Sequence, residues 1–489
     1  MRTLQLLDEA QEATEDTDKL HDECGVFGII APGRAIARFI HFGLYALQHR
    51  GQESAGIAAW DGTDLNIRKG MGLVSDVFDD LNLDSLKGDR GIGHVRYSTT
   101  GSSSRNNAGP FDAENELGFL VVAHNGNVVN TPALRAELVQ AGVKLGGSTD
   151  SEVISHVLAR AAGTSWPEKL YNGAARLRGA FSLAILTADK LYAVRDPFGV
   201  RPLCLGQLND GGGWVIASET CALDTVGAAL EREVGPGEIV EVDENGSHTV
   251  GHLPRWAASE HESALCAAEL FYIARPDSLI NGLSVYLVRE ALGKWLAREH
   301  PVEADLVIGV PDSGIPAATG FAQASGMPYR EGIIKNRYIG RTFIQPDQQM
   351  RRRSVQLKLN PLRPILEGKR VVVVDDSIVR GNTTKGIVHM LRTVGGAREV
   401  HLRISAPPIL HPCVLGIDTG TYEELIGNQL SVEQIRQHVD ADSLGYLSTE
   451  NFVKATGLPK NRLCLACFNG RYPVDFEYVP GGAKLALER

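Results

Sequence analysis

No apolar run in this chain of 489 residues approaches the roughly 20 residues that a membrane-spanning helix needs. A transmembrane protein of that kind is therefore excluded. Positive charge is also short: 49 Lys and Arg face 59 Asp and Glu, a net charge of -10. That balance argues against a protein that grips nucleic acid non-specifically through its phosphates. Cysteine is sparse and odd in number, seven in all, so a disulfide framework is excluded. Residues 1–23 hold eight acids against two Lys or Arg. They lack the apolar h-region of a secretory signal and read as a solvated acidic tail. With the cysteine count, this gives the expectation of a reducing cytoplasm. What remains is a globular composition, 43% hydrophobic and 22% charged, on a chain long enough for two or more domains.

The most informative stretch is residues 371–384, VVVVDDSIVRGNTT. Four consecutive Val fit a strand buried on both faces. Asp375 and Asp376 follow, then small and hydroxyl residues, then a helical pattern. That pattern sets Ile387, Met390, Leu391 and Val394 on one face and stops at Gly395-Gly396. A strand, a polar loop and a helix N-terminus make an anion site, because unpaired N–H groups and the helix dipole face the loop. The loop matches neither G-x-x-x-x-G-K-[ST] nor G-x-G-x-x-G. Two acids beside a hydroxyl-rich loop suit a ligand with both sugar hydroxyls and a phosphate, or a hard cation. An ordinary buried strand ending in an acidic turn would read similarly. The full string, however, resembles the phosphoribosylpyrophosphate (PRPP) signature of the type I phosphoribosyltransferases.

Upstream, Cys24 opens CGVFGII, and residues 39–47 have helical spacing before LQHRGQESAG. GIGHVRYSTTG (91–101), VVAHNGNVVN (121–130) and GSTDSE (147–152) follow. A lone Cys before an apolar strand is ordinarily a core residue. These four motifs in this order instead resemble a glutamine amidotransferase domain of the N-terminal-nucleophile type, over about residues 24–250. Strands at 181–186 and 191–194 around a turn at 187–190, another at 214–218, and a GPGE turn before 239–242 agree with a four-layer αββα domain. Residues 243–265 read as a polar, irregular connector. Cys204 and Cys221 are assigned to packing.

Three further features belong to the second half. A strand at 305–310 leads into Pro311-Asp312-Ser313-Gly314 and a small-residue helix, again an anion site. PDSG alone is an ordinary turn. Residues 330–360 carry eight Arg or Lys against Glu331 and Asp347, a basic patch fit for a polyphosphate ester. A solvated charge run is the plainer reading. Strands at 371–374 and 400–405 with the helix between them form a βαβ unit, so the sheet is expected to be parallel with its ligand at the strand carboxyl ends. Cys464-x2-Cys467, with Cys413 and Cys266, fits half of a zinc site, a redox pair or no site.

Taken together, the chain after residue 23 resembles the glutamine phosphoribosylpyrophosphate amidotransferases (amidophosphoribosyltransferases), in the branch with an iron–sulfur cluster and a cleaved propeptide. The resemblance implies residues 1–23 as propeptide, 24–250 as the class II glutamine amidotransferase domain, and 251–489 as the phosphoribosyltransferase domain with a C-terminal cluster-binding region. It implies transfer of the glutamine amide nitrogen to PRPP, the first committed step of purine synthesis. Cys24 would be the nucleophile, its own α-amine the base, and Asn125 and Gly126 the oxyanion donors. Arg96 would pair with the glutamine carboxylate and Asp150 with its ammonium group. Arg50, Tyr97, Thr99 and His124 would support the pocket, with neither His94 nor His124 needed as base. PRPP would be held by Asp312, Ser313, Gly314, Lys335, Arg337, Tyr338, Arg341, Asp375, Asp376, Ser377, Arg380, Gly381, Asn382, Thr383 and Thr384. One Mg²⁺ per subunit would sit at Ser313, Asp375 and Asp376. One [4Fe–4S] cluster would sit on Cys266, Cys413, Cys464 and Cys467, with Zn²⁺ the alternative. Purine nucleotides would inhibit a homotetramer. An amidotransferase serving another acceptor, or a non-catalytic nucleotide- or RNA-binding regulator, are the rival readings. The PRPP string opposes the first, and Cys24 with its pocket motifs opposes the second.

Overall fold

Strand Gly25–Ile30 is buried along its whole length, because it lies between two layers. Its side chains alternate with the period of a strand. Val26 and Ile30 face one core, with Ile92, Val121, Ala184, Leu191, Ile216 and Val240. Phe27 and Ile29 face another, with Ile40, Leu44, Ile57 and Leu223. The structure, a computed structural model, describes residues 24–97, 102–256, 261–336 and 358–476.

The first core is the space between two antiparallel sheets. One runs Ala228–Glu233, Cys204–Leu208, Trp214–Ala217, Gly25–Ile30, Arg90–Arg96, Ser54–Trp60, Leu65–Met71. The other runs Gly246–His252, Glu238–Asp243, Leu191–Arg195, Gly179–Thr187, Gly118–Val128, Phe111–Asn115. Helices Ala37–Ala46 and Thr220–Val226 cover the first sheet. Thr131–Gln140, Asp150–Arg160 and Trp166–Ala174 cover the second through Leu134, Val153, Val157, Leu158 and Leu170. This is the expected αββα sandwich. Helix Ala37–Ala46 lies so close that a Cβ on Gly43 would come within 2.3 Å of the Phe27 ring. The segment expected to be an irregular connector instead contributes Gly246–His252, paired with Glu238–Asp243 at the sheet edge.

The second half is built on a parallel sheet of Leu306–Gly309, Arg370–Asp375, Glu399–Ile404 and Ser443–Tyr446. Tyr329 adds a parallel bridge to Val307 on the free side of the first strand. In chain order the sheet therefore runs 2-1-3-4-5. The chain leaves Leu306–Gly309 towards Tyr329 and leaves Arg370–Asp375 towards Glu399–Ile404, on opposite sides, so the crevice of such a sheet lies between the carboxyl ends of these two strands. Helix Asn382–Thr393 packs Ile387, Met390 and Leu391 on this sheet. Val394, expected on the same face, lies just past the helix end and is 45% exposed. The C-terminal part packs through Phe271, Phe452 and Phe468. Among the described residues no helix is long and apolar enough to cross a membrane.

Candidate functional site

Cys24 enters the sandwich directly ahead of its central strand and is 7% exposed. Its thiol donates to the Tyr97 carbonyl at 3.6 Å, and its own carbonyl accepts from Arg50 Nε at 3.1 Å. The following strand is pinned by Ser218 Oγ, which accepts from Val26 N–H at 2.9 Å. Sequence reasoning did not single out Ser218.

Asn125 and Gly126 lie in strand Gly118–Val128, opposite Ser182 and Phe181. The Asn125 side chain is fully buried, and neither its Oδ1 nor its Nδ2 has a hydrogen-bond partner among the described residues. A buried amide without a partner is costly, so this one is poised for something the protein does not itself supply. Gly126 has φ +142°, and a Cβ there would lie 2.1 Å from the Ala180 carbonyl oxygen. Only glycine fits that position without shifting the backbone.

Three charged or ionisable groups converge beside this strand. Asp150 starts helix Asp150–Arg160, whose N-cap Thr149 accepts from Glu152 N–H. One Asp150 oxygen accepts from Val128 N–H at 3.2 Å and lies 3.6 Å from His124 Nδ1. Burial alone would raise the Asp150 carboxyl. The His124 imidazole, the Val128 N–H and the Arg96 guanidinium outweigh it and hold the group below the ordinary carboxylate range. Arg96 is 4% exposed, donates to the Ser102 carbonyl and lies 3.8 Å from Glu53. An anchored guanidinium and carboxylate suit the two ends of an α-amino acid. His94 makes its contact to the His124 carbonyl at 2.9 Å, and burial pushes its imidazole down to about 3. It stays neutral and structural. Thr99 lies outside the described residues.

The second site occupies the parallel-sheet crevice. Asp375 and Asp376 are buried, at 2% and 0% exposure. Asp376 N–H donates to Asp375 Oδ1 at 2.9 Å, Ser377 Oγ to Asp376 Oδ1 at 2.6 Å, and Ser313 Oγ to Asp376 Oδ2. The PDSG and DDS loops are thus in direct contact across the crevice. The approach is close enough that a Cβ on Gly314 would lie 2.5 Å from the Val374 carbonyl oxygen. Lys335 Nζ reaches Asp312 at 2.6 Å, with both groups largely exposed. Gly381, at φ +92°, caps helix Asn382–Thr393 with no side-chain cap. The first turn, Asn382, Thr383 and Thr384, therefore offers its N–H groups to an anion. Arg380 donates to Glu424 at 3.2 Å, while its Nε and Nη1 have no partner among the described residues. Arg337, Tyr338 and Arg341, with most of the basic patch, lie outside the described residues.

The four cysteines come together from three separate stretches. Cys266 and Cys464 stand side by side in a two-residue parallel pair, both buried. Desolvation and three neighbouring sulfurs, Cys266, Cys464 and Cys413, push the Cys467 thiol far up. Cys467 also accepts from Leu410 and His411 N–H through its carbonyl, which draws in the loop bearing Cys413. A sulfur-only donor set suits a soft-metal centre. Among the described residues no three His, Cys, Asp or Glu are disposed around a single ion. Cys204, on strand Cys204–Leu208, and Cys221, on helix Thr220–Val226, pack in one core.

Comparison with known proteins gives these sites a context. Residues 94–225 match the family model of a glutamine amidotransferase domain, and residues 280–406 that of a phosphoribosyl transferase domain. The amidophosphoribosyltransferase of Synechocystis sp. is 50% identical over 475 residues, covering 96% of this chain and 95% of the relative. That of Mycobacterium tuberculosis is 47% identical, covering 98% and 91%. The glutamine PRPP amidotransferase of B. subtilis, solved with ADP and GMP, superposes with a TM-score of 0.86 at 46% identity, covering 93% and 98%. A structure described as the allosteric regulatory enzyme of purine biosynthesis superposes with a TM-score of 0.87 at 45% identity, covering 95% and 99%.

Proposed function

Since the chain belongs to the amidophosphoribosyltransferase family, we propose the following division of labour among its residues. The enzyme transfers the amide nitrogen of glutamine to PRPP, giving 5-phosphoribosylamine, glutamate and pyrophosphate, the first step of purine biosynthesis. Residues 1–23 are removed, so that Cys24 carries a free α-amine with an ordinary pKa near 8, approximately, that takes the thiol proton. The thiolate attacks the glutamine amide, and Asn125 Nδ2 with the Gly126 N–H stabilises the tetrahedral oxyanion. Ammonia leaves, and water hydrolyses the Cys24 thioester to glutamate. Arg96 and Asp150 hold the α-carboxylate and α-ammonium of the substrate.

In the second half-reaction ammonia attacks C1 of PRPP and pyrophosphate departs with inversion. Asp375 and Asp376 orient the ribose hydroxyls. The loop from Ser377 to Thr384 and the following first helical turn hold the 5-phosphate. Asp312, Ser313, Gly314 and Lys335 meet the pyrophosphate, joined by Arg337, Tyr338 and Arg341. The buried carboxylates with the Ser313 hydroxyl form a hard oxygen set that suits Mg²⁺, which would neutralise charge on the leaving pyrophosphate. Cys266, Cys413, Cys464 and Cys467 would hold a [4Fe–4S] cluster as a structural tie. Purine-nucleotide feedback, a homotetramer and a cytoplasmic location complete the reading.

The observation that carries this assignment is the Asn125 carboxamide, fully buried and without a partner among the described residues, in a strand of the sandwich that Cys24 enters. Measuring glutamine hydrolysis with and without PRPP tests it. Hydrolysis stimulated by PRPP is expected, and hydrolysis indifferent to PRPP would refute it. Mass spectrometry of the active enzyme should find an N-terminus at Cys24. An intact Met1 would overturn the α-amine mechanism.

A further inference from the structure

Beneath the nucleophile lies a buried ionic cluster that the reaction as described does not use. Arg50, Glu219, Glu269 and Arg201 all have fully buried side chains. Arg50 gives Nη2 to Glu269 Oε1 at 2.6 Å. Its Nη1 goes to Glu269 Oε2 at 3.0 Å and to Glu219 Oε1 at 2.5 Å. Its Nε is the group that donates to the Cys24 carbonyl. Glu219 belongs to the glutamine half and is braced by Ser278 Oγ at 2.6 Å and Arg275 N–H at 2.9 Å. Glu269 comes from the other half of the chain. It opens the helical turn Glu269–Ile273; the carbonyls of Leu270 within it and of Ala274 at its end accept from Arg289 at 2.9 and 2.8 Å. Arg201 lies 3.5 Å from Glu269 and donates to the Leu415 carbonyl at 2.8 Å.

We propose that Glu269 is a positioning residue for Cys24, acting through Arg50. A guanidinium buried against a neutral carbonyl alone would be strongly disfavoured. The Glu269 carboxylate takes both terminal nitrogens of Arg50, and this forked pairing fixes the plane of the guanidinium. With the terminal nitrogens turned to the carboxylates, the Nε–H points at the Cys24 carbonyl. Fixing that carbonyl fixes the Cys24 backbone, and with it the direction of the amine, towards a thiol that the Tyr97 carbonyl holds from the other side. In the proposed mechanism base and nucleophile share this one residue, so its backbone orientation is the geometry of proton transfer. The inference rests on that reading of Cys24. It adds that the nucleophile is completed by a carboxylate from the phosphoribosyltransferase half, on a helical turn whose backbone Arg289 holds.

The test is the processed full-length enzyme carrying Glu269→Gln or Glu269→Asp, assayed at saturating PRPP with glutamine or with ammonium chloride as nitrogen donor. Ammonium bypasses Cys24, so it reads the second site alone. With Glu269→Gln, the glutamine-dependent kcat should fall at least about tenfold with KM for glutamine within about twofold, as for a lost positioning contact. Ammonium-dependent synthesis should hold, Cys24 should alkylate more slowly with iodoacetamide, and Glu269→Asp should recover part of the loss. Equal loss with both donors, or an unchanged glutamine kcat, would overturn the proposal. Should Glu269→Gln fail to fold, the double variant Arg201→Gln with Glu269→Gln removes one charge of each sign and is judged by the same criteria. A Cys24→Ala enzyme that still uses glutamine would instead overturn the reading of Cys24 itself, and the inference with it.

Discussion

Replacing Asn125 by Leu should produce an enzyme that is at least as stable and nearly unable to use glutamine. The two amino acids are similar in size and shape, so the substitution leaves little cavity. In the wild type both amide atoms of Asn125 are buried and unpartnered among the described residues. An unsatisfied buried polar group costs roughly 1–3 kcal/mol. Removing both partners of a hydrogen bond is nearly neutral, and removing a group that never had one is a gain. The folded state of Asn125→Leu should therefore be more stable by up to ~2 kcal/mol, after allowance for imperfect packing of the branched side chain.

The catalytic effect has the opposite sign. An oxyanion donor acts only in the transition state, and losing one costs about 10²–10³-fold in kcat, roughly 2.7–4 kcal/mol. Two assays read the two quantities. Urea unfolding, followed by the transition of the glutamine half, gives the stability change as a shift in midpoint at constant slope. Initial rates with glutamine and with ammonium give the catalytic change, and the ammonium rate should not move. A variant that loses stability by more than ~1 kcal/mol while its glutamine kcat stays within about threefold would refute the reasoning. The amide would then be a core residue whose partners lie elsewhere.

His94 is buried and neutral, with its imidazole pushed down to about 3, so the unfolded chain binds a proton there that the folded chain refuses. Stability should fall as pH drops from about 6.5 towards 3, by at most about 1.4 kcal/mol per unit, and His94→Gln should flatten that slope in pH-dependent urea unfolding. Anaerobic purification should give a brown protein containing iron and sulfide, and Cys467→Ser should remove both, whereas a colourless zinc protein would contradict the cluster. Asp376→Asn should shift the Mg²⁺ dependence of ammonium-driven synthesis more than Asp375→Asn does, because Asp376 accepts from both Ser313 and Ser377. Equal shifts would mean that the two acids share the ion.

Much of this was legible before any coordinates, for a physical reason. Residues 371–384 and the motifs around Cys24 are local strings in which a buried strand, a special backbone position and a polar group sit within a few residues. Gly126 shows it well: its φ and its approach to Ala180 demand glycine, and the sequence records that demand. What was lost lies where structure leaves little local trace. Strand Gly246–His252 is an edge strand with mostly exposed side chains, so it lacks the apolar alternation that marks a half-buried strand. The 2-1-3-4-5 order depends on a single bridge at Tyr329, which no periodicity reports. The cluster beneath Cys24 joins Arg50 to Glu269, 219 residues apart in sequence. Its one visible signal was a lone acid in the apolar run CAAELFYIA, where an uncompensated charge is not tolerated. Such an acid predicts a buried cationic partner but cannot name it. Here the partner is the arginine on the Cys24 carbonyl, so the residue least explained by its neighbours joins the two halves of the chain.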